Sequence, residues 1–202
     1  MKKRIEREIC AESADIVARR LLGCTLVRLI DGERLAGVIV ETEAYVGEND
    51  LGAHASRGRT ARTEVMYGPP GYAYVYLIYG MYDCLNVVAC EVGMPHAVLV
   101  RAIQPTDGME RMRSNRKGTR TGKRLRDVDI ASGPGKLCAA MQIGREFYGH
   151  DLVDGDELWI EMGASVSDRD VLVGPRIGIA YAKEWAHAPL RYALRNNPYV
   201  SR

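Results

Sequence analysis

One phenylalanine stands against eleven tyrosines in this 202-residue chain. A core needing only aromatic bulk would not use so many phenols, because each buried hydroxyl requires a partner. No apolar run approaches the ~18 residues of a membrane-crossing helix, so no membrane partner is expected. The basic start, Met1-Lys2-Lys3-Arg4, is not followed by an apolar stretch, and no signal peptide is expected. The five cysteines (Cys10, Cys24, Cys84, Cys90, Cys138) are scattered and odd in number, with no CxxC. That pattern argues against a disulfide framework and a zinc site, and a reduced, cytoplasmic compartment is expected, at the nucleoid in a prokaryotic cell. Ser132-Gly133-Pro134-Gly135-Lys136 lacks Walker A spacing, which excludes a triphosphate site. Its amides, or a helix start there, could still hold one phosphate. His54 has no companions at metal-ligand spacing, and no HxE…PCxxC pattern of zinc deaminases occurs. Neither a metal nor a cofactor is expected.

Charge is nearly balanced at +2 but unevenly placed. Residues 111–126, RMRSNRKGTRTGKRLR, contain no acidic residue, whereas 151–170 are acidic. A basic block in a near-neutral chain fits either a polyanion partner or a solvated loop.

Hydrophobic patterning yields one α+β domain over 1–202 with a largely antiparallel sheet. Ser13 is a candidate N-cap for a helix carrying Ala14, Val17, Ala18, Leu21 and Leu22, with Gly23 as its stop. Thr25–Ile30, the Asp31-Gly32 turn and Leu35–Tyr45 read as a hairpin. Residues 46–71 read as loop. A second hairpin follows, with arms 72–79 and 84–90 and a turn over 79–83. His96–Ile103 reads as a strand bounded by Pro95 and Pro105. A short helix is expected over 137–143, after 111–126 as a loop. Short strands are expected at 157–161, 171–173 and 177–179, and a packed C-terminus around Trp185 and Tyr192.

The second strand closes on Val40-Glu41-Thr42-Glu43-Ala44-Tyr45. Alternation puts Glu41 and Glu43 on one face, where two carboxylates repel and desolvate poorly. Glu43, at the strand end beside a loop, could be a general base. The other reading of the same position is a strand-end charge that reaches solvent or pairs with Arg34, Arg57 or Arg59. Tyr45, His54, Tyr72, Tyr74, Tyr76, Tyr79 and Tyr82 beside basic residues fit stacking on nucleobases, worth about 1–3 kcal/mol per base. Tyr72, Tyr74 and Tyr76 could also simply shield a sheet face. Tyr79, near a hairpin tip with little to pack against, suits a wedge entering a duplex.

Taken in order, VETEAY, His54 with Arg57-Gly58-Arg59-Thr60, Met66-Tyr67-Gly68-Pro69-Pro70-Gly71 and Tyr74-Val75-Tyr76-Leu77-Ile78-Tyr79-Gly80-Met81 form a specific set. Cys84-Leu85-Asn86, Leu99-Val100-Arg101-Ala102, Ser132 to Cys138, Pro175-Arg176-Ile177-Gly178-Ile179 and Pro198-Tyr199-Val200-Ser201 extend it over nearly the whole chain. On these residues the sequence resembles the alkyladenine (3-methyladenine) DNA glycosylase family. The resemblance implies a curved, mostly antiparallel sheet with flanking helices and a protruding hairpin that inserts into DNA. It implies a cofactor-free, monofunctional enzyme that flips alkylated or deaminated purines from duplex DNA and hydrolyses their glycosidic bond; one flipped base needs only a monomer, which is the state expected. Glu43 matches the base that activates water, and Arg101 and the Ile177 carbonyl match groups that hold water and the neighbouring phosphate. Tyr45, His54 and Tyr76 match the pocket around the flipped base, and Asn86 a residue that disfavours the amino group of guanine. Tyr79 matches the intercalating wedge. Met81, Tyr82, Arg57, Arg59, Ile177 and Gly178 fall at DNA-contacting positions.

Ala61 and Tyr67 depart from the expected Pro and Phe, which concerns loop shape rather than chemistry. The 111–126 block has little counterpart. Two rivals use the same features: a non-catalytic nucleic-acid-binding module, and an enzyme of free nucleosides. If Glu43 faces the flipped sugar, Glu41 lies one step deeper and needs a donor, with Arg101 a candidate.

Overall fold

The computed structural model describes residues 3–116 and 125–201. Lys117, Arg120, Lys123 and Arg124 of the basic stretch lie outside the described residues. Along the chain come helices α1 (Arg7–Cys10) and α2 (Ala14–Leu21), then strands β1 (Thr25–Ile30) and β2 (Glu33–Val46). Strands β3 (Ala73–Ile78), β4 (Tyr82–Ala89) and β5 (His96–Asp107) follow, with helices α3 (Met109–Asn115) and α4 (Pro134–Met141). Strands β6 (Leu158–Glu161), β7 (Val171–Gly174) and β8 (Arg191–Leu194) complete the described elements.

The strands lie in the order β3-β4-β5-β2-β1-β6, all antiparallel, with β8 on β2 beyond the end of β1 and β7 beyond β8. The β1–β2 hairpin turns at Asp31 and Gly32, both at positive φ (52° and 80°). This is the geometry that two-residue hairpin loops demand and Asp-Gly supplies. As the central strand, β2 carries VETEAY at full burial for Glu41, Thr42 and Glu43.

Period-2 alternation sorts the sheet into two faces. Ala44, Ala73, Val75, Leu85, Val87, Val98 and Val100 join the main core with Val17, Leu21, Leu137 and Met141. Here α2 packs across β2 and β5, and α4 across β4 and β5. Thr42 points the same way, and its hydroxyl donates to the Ala18 carbonyl at 2.9 Å. The opposite face carries Glu43, Tyr45, Tyr74, Tyr76, Asn86, Leu99 and Arg101.

Four expectations change. Pro105 does not end β5, which runs on to Asp107; Pro105 pairs with Gly37 beside a register shift, and bulges are where a strand tolerates a residue without an N–H. A Cβ on Gly37 would meet Ile103 Cδ1 at 2.8 Å and the Gln104 carbonyl at 3.0 Å, so β5 approaches a bare backbone. Ile177–Ile179 is not a strand; its backbone serves a side chain, as described below. Residues 111–115 are helical, not loop, and Arg111, Arg113 and Arg126 pair with Asp31, Asp127 and Asp129. The second hairpin turns over Tyr79-Gly80-Met81 alone, because Ile78 already pairs with Tyr82. Among the described residues no helix is long and apolar enough to cross a membrane.

Candidate active site

A cleft of about 660 Å³ opens on the sheet face opposite α2, with the start of α4 at one side. Its walls follow from strand alternation: Tyr74, Tyr76 and Ile78 from β3, Cys84 and Asn86 from β4, Leu99 and Arg101 from β5, Tyr45 from β2. His54 enters from a 3-10 turn at His54–Arg57, Ser201 from the chain end, and Ile177 and Gly178 from the segment after β7. Tyr79 and Tyr82 stand at the mouth, facing Gly133 to Lys136 at the start of α4.

Glu43 lies beside this cleft with no exposed surface. The reading of a strand-end charge reaching solvent is therefore overturned, and two of the three alternative partners, Arg34 and Arg59, are engaged elsewhere. Arg34 pairs with Glu161 and Asp107, and Arg59 with Glu64. Instead the Ile177 N–H donates to Glu43 Oε1 at 2.7 Å, and the Tyr45 hydroxyl donates to Oε2 at 2.9 Å. Arg101 Nη1 lies 3.2 Å from Oε1. Burial pushes the Glu43 carboxyl upward, against the pull of Arg101, the Ile177 amide and Tyr45; Glu41 adds a small upward push. The same burial, reinforced by Glu43, holds the Tyr45 hydroxyl well above its ordinary range, so it remains a donor. Ile177 thus meets Glu43 through its amide.

Arg101 reaches Glu43 through the local register. Ile39 pairs with Ile103, Glu41 with Ala102 and Thr42 with Val100. Val40 and Arg101 are thus each left without a cross-strand partner, one extra residue per strand. Such irregularities re-aim side chains beside active sites.

Ile177 is held by its neighbour. Arg176 and Asp50 form an ion pair with no exposed side-chain surface, Arg176 Nη2 donating to Asp50 Oδ1 at 2.7 Å. Asp50 also accepts from the Val46 and Gly52 amides, and Arg176 Nη1 donates to the Ala44 carbonyl. The Arg176 guanidinium carbon lies 4.7 Å from the Tyr45 ring centre. One buried pair therefore ties together the end of β2, the loop after it and the 175–179 segment. No local feature of the sequence pairs Asp50 with Arg176.

The aromatic wall is a connected group. His54 meets Tyr76 edge-on at 4.5 Å between ring centres, and Tyr74 lies 5.4 Å from Tyr76. His54 Nδ1 sits 2.8 Å from the Tyr74 hydroxyl. Burial, with Arg62 and Arg57 nearby, lowers His54 to about 4, and burial raises Tyr74 to about 12. Both are neutral at pH 7. The His54 ring and the Tyr74 hydroxyl thus share one hydrogen bond between neutral groups. Asn86 is buried and donates to the Tyr74 carbonyl at 3.0 Å. Tyr74 itself was legible only as one of an alternating ladder; its hydrogen bond to His54 was not.

At the hairpin tip Tyr79 has φ 53° and is 76% exposed, and Met81 is 68% exposed. Arg57 and Arg59 are exposed on the loop beside the cleft. Among the described residues no cluster of three or more His, Cys, Asp or Glu could hold a metal.

A sequence model of methylpurine-DNA glycosylase matches residues 8–198. The chain belongs to the methylpurine-DNA glycosylase family. It is thus a DNA glycosylase, an N-glycosyl hydrolase of DNA repair. A Methanocella arvoryzae relative is 52% identical over 186 residues, covering 92% of this chain and 90% of its own. A Bacillus cytotoxicus relative is 46% identical over 191 residues, covering 92% and 93%. One from Carboxydothermus hydrogenoformans is 46% identical over 198 residues, covering 98% of both. All three are provisionally named 3-methyladenine DNA glycosylase.

Proposed function

We propose that residues 1–202 act as one monomeric glycosylase domain. It flips alkylated or deaminated purines (3-methyladenine, 7-methylguanine, hypoxanthine) from duplex DNA and excises them with a water activated by Glu43. The observation that carries this reading is the buried Glu43, held by two hydrogen-bond donors and the Arg101 guanidinium beside an aromatic cleft. A carboxylate offers about four acceptor positions. The Ile177 amide and Arg101 face Oε1, and Tyr45 takes one position on Oε2. Oε2 keeps one position for the proton of an attacking water. A carboxyl raised by burial is a better base than an exposed one.

In the reaction, water oxygen bonds to C1′ as the C1′–N bond breaks. The bonding pair leaves with the base, and the water proton passes to Glu43. Carboxylate charge stabilises the oxocarbenium character of C1′. A cationic alkylated purine leaves readily and stacks on electron-rich rings; neutral hypoxanthine needs a proton as it departs. Tyr45, His54 and Tyr76 would bracket the flipped base, Asn86 would exclude the guanine amino group, and Tyr79 would fill the vacated stack. Met81, Tyr82, Arg57, Arg59, Ile177 and Gly178 would touch the DNA. A single flipped base requires a single chain.

Lys136 also lines the cleft, and it is the one feature that favours a second reading, a lyase working through a Schiff base. One assay separates these readings. Glu43→Gln lowers single-turnover base release from hypoxanthine duplex by at least about 10²-fold, while wild type leaves the abasic strand uncut and borohydride traps no adduct. Near-wild-type release by Glu43→Gln sinks the base assignment, and a trapped adduct sinks monofunctionality. Equal release from free nucleoside would remove the DNA-specific reading.

A further inference from the structure

Glu41 is as fully buried as Glu43, and neither carboxylate is among the residues that line the cleft. Its Oε1 accepts from Arg191 Nη1 at 2.9 Å, and its Oε2 accepts from the Ser201 amide at 2.8 Å. Arg101 Nε lies 3.5 Å from Glu41 Oε1, an ion-pair distance without a hydrogen bond. Arg101 Nη2 meets the Ser201 hydroxyl at 3.4 Å, and Nη1 faces Glu43. The C-terminal segment that brings Ser201 here is tied to β5 by Asn197, which donates to Gln104 at 3.0 Å.

The geometry points to Glu41 as a positioning residue: with Arg191 and the Ser201 amide it holds Arg101 so that the guanidinium leans on Glu43 through Nη1 alone. This rests on Glu43 being the base. A guanidinium facing one carboxylate prefers the two-pronged fork. A fork on Glu43 would occupy the remaining acceptor position on Oε2, the one available to water. By drawing the Nε edge toward itself, Glu41 keeps that position open. The C-terminal residues are then part of the active-site support rather than a tail.

The charged and titratable groups around Glu43 are Glu41 and Tyr45 from β2, Arg101 from β5, Tyr76 from β3 and Cys84 from β4, with the Ile177 amide opposite. Glu41 is faced by Arg101, Arg191 from β8 and the Ser201 amide. In Glu41→Gln a like charge disappears and Arg101 closes on Glu43. Both changes favour the Glu43 anion, so the acidic limb of the single-turnover pH profile moves to lower pH. The rate falls by about 10- to 100-fold, while affinity for duplex carrying a stable abasic analogue stays within about twofold, since the base-binding wall is untouched. Ser201→Pro removes the amide donor to Glu41 together with the hydroxyl near Arg101, and Ser201→Ala removes the hydroxyl alone. Arg101 is then drawn toward Glu41, and the limb moves to higher pH relative to Ser201→Ala, which retains the amide. A purely structural role would lower the folded fraction in both variants without moving either limb.

A cooperatively folding Glu41→Gln with an unmoved limb overturns the inference. If Glu41→Gln does not fold, an unmoved limb in Ser201→Pro against Ser201→Ala overturns it instead. Retained activity in Glu43→Gln would defeat the underlying reading of the base; an inactive Glu43→Gln with unmoved limbs defeats only the role given to Glu41.

Discussion

His54 shows what burial does to a single residue in this site. Its ring is pushed down to about 4 by desolvation and then by Arg62 and Arg57. The unfolded chain takes up a proton as pH falls through about 6.5, whereas the folded protein does so only near 4. The neutral ring's contribution to stability is therefore full above pH 6.5 and is lost as pH falls toward 4. Between pH 7 and 4.5, wild type should lose about 2 kcal/mol more unfolding free energy than His54→Gln, as measured by urea titration. Equal losses would mean His54 is not held neutral. Individual residues were legible to different depths. Glu41 and Glu43 announce a shared face by their spacing, yet nothing in that spacing separates the surroundings of one from those of the other. The separation comes from donors distant in sequence: Ile177 for Glu43, Arg191 and Ser201 for Glu41.

Among the elements, the β3–β4 hairpin is the most exposed. Tyr79 occupies a left-handed backbone conformation at a three-residue turn, and its ring has little to pack against. Tyr79→Ala should leave the thermal midpoint nearly unchanged, because exposed substitutions shift stability by about 0.5 kcal/mol or less. It should weaken binding to abasic-site duplex by about tenfold, the equivalent of one lost base–aromatic stack. Unchanged affinity in a fluorescence-anisotropy titration would remove the wedge role. Both hairpins were legible because turn chemistry and period-2 alternation are local. The misread elements have non-local causes. β5 continues through Pro105 because a register shift against β2 accepts it, and 175–179 stays irregular because Arg176 is anchored on Asp50, 126 residues away in sequence.

For the whole molecule, a net charge of +2 conceals a basic loop beside the cleft mouth. Arg57 and Arg59 are both exposed there, and Arg59 is already paired with Glu64. Arg57 is thus the better candidate for a phosphate contact. Arg57→Ala should weaken binding to damaged and undamaged duplex alike and reduce the slope of log affinity against log salt by about 1. An unaltered slope would place Arg57 off the DNA path. At this scale the sequence by itself determined the α+β class, the central place of VETEAY, the family and the residue types of the site. Those follow from alternation, turn residues and motif order, which are written along the chain. Only the tertiary structure decided which donors each carboxylate takes, how Arg101 is shared between them, and that Ser201 meets both Glu41 and Arg101. Burial and ion pairing depend on groups brought together from β2, β5, β8 and the C-terminal residues, and their energies exist only once those groups share a desolvated space.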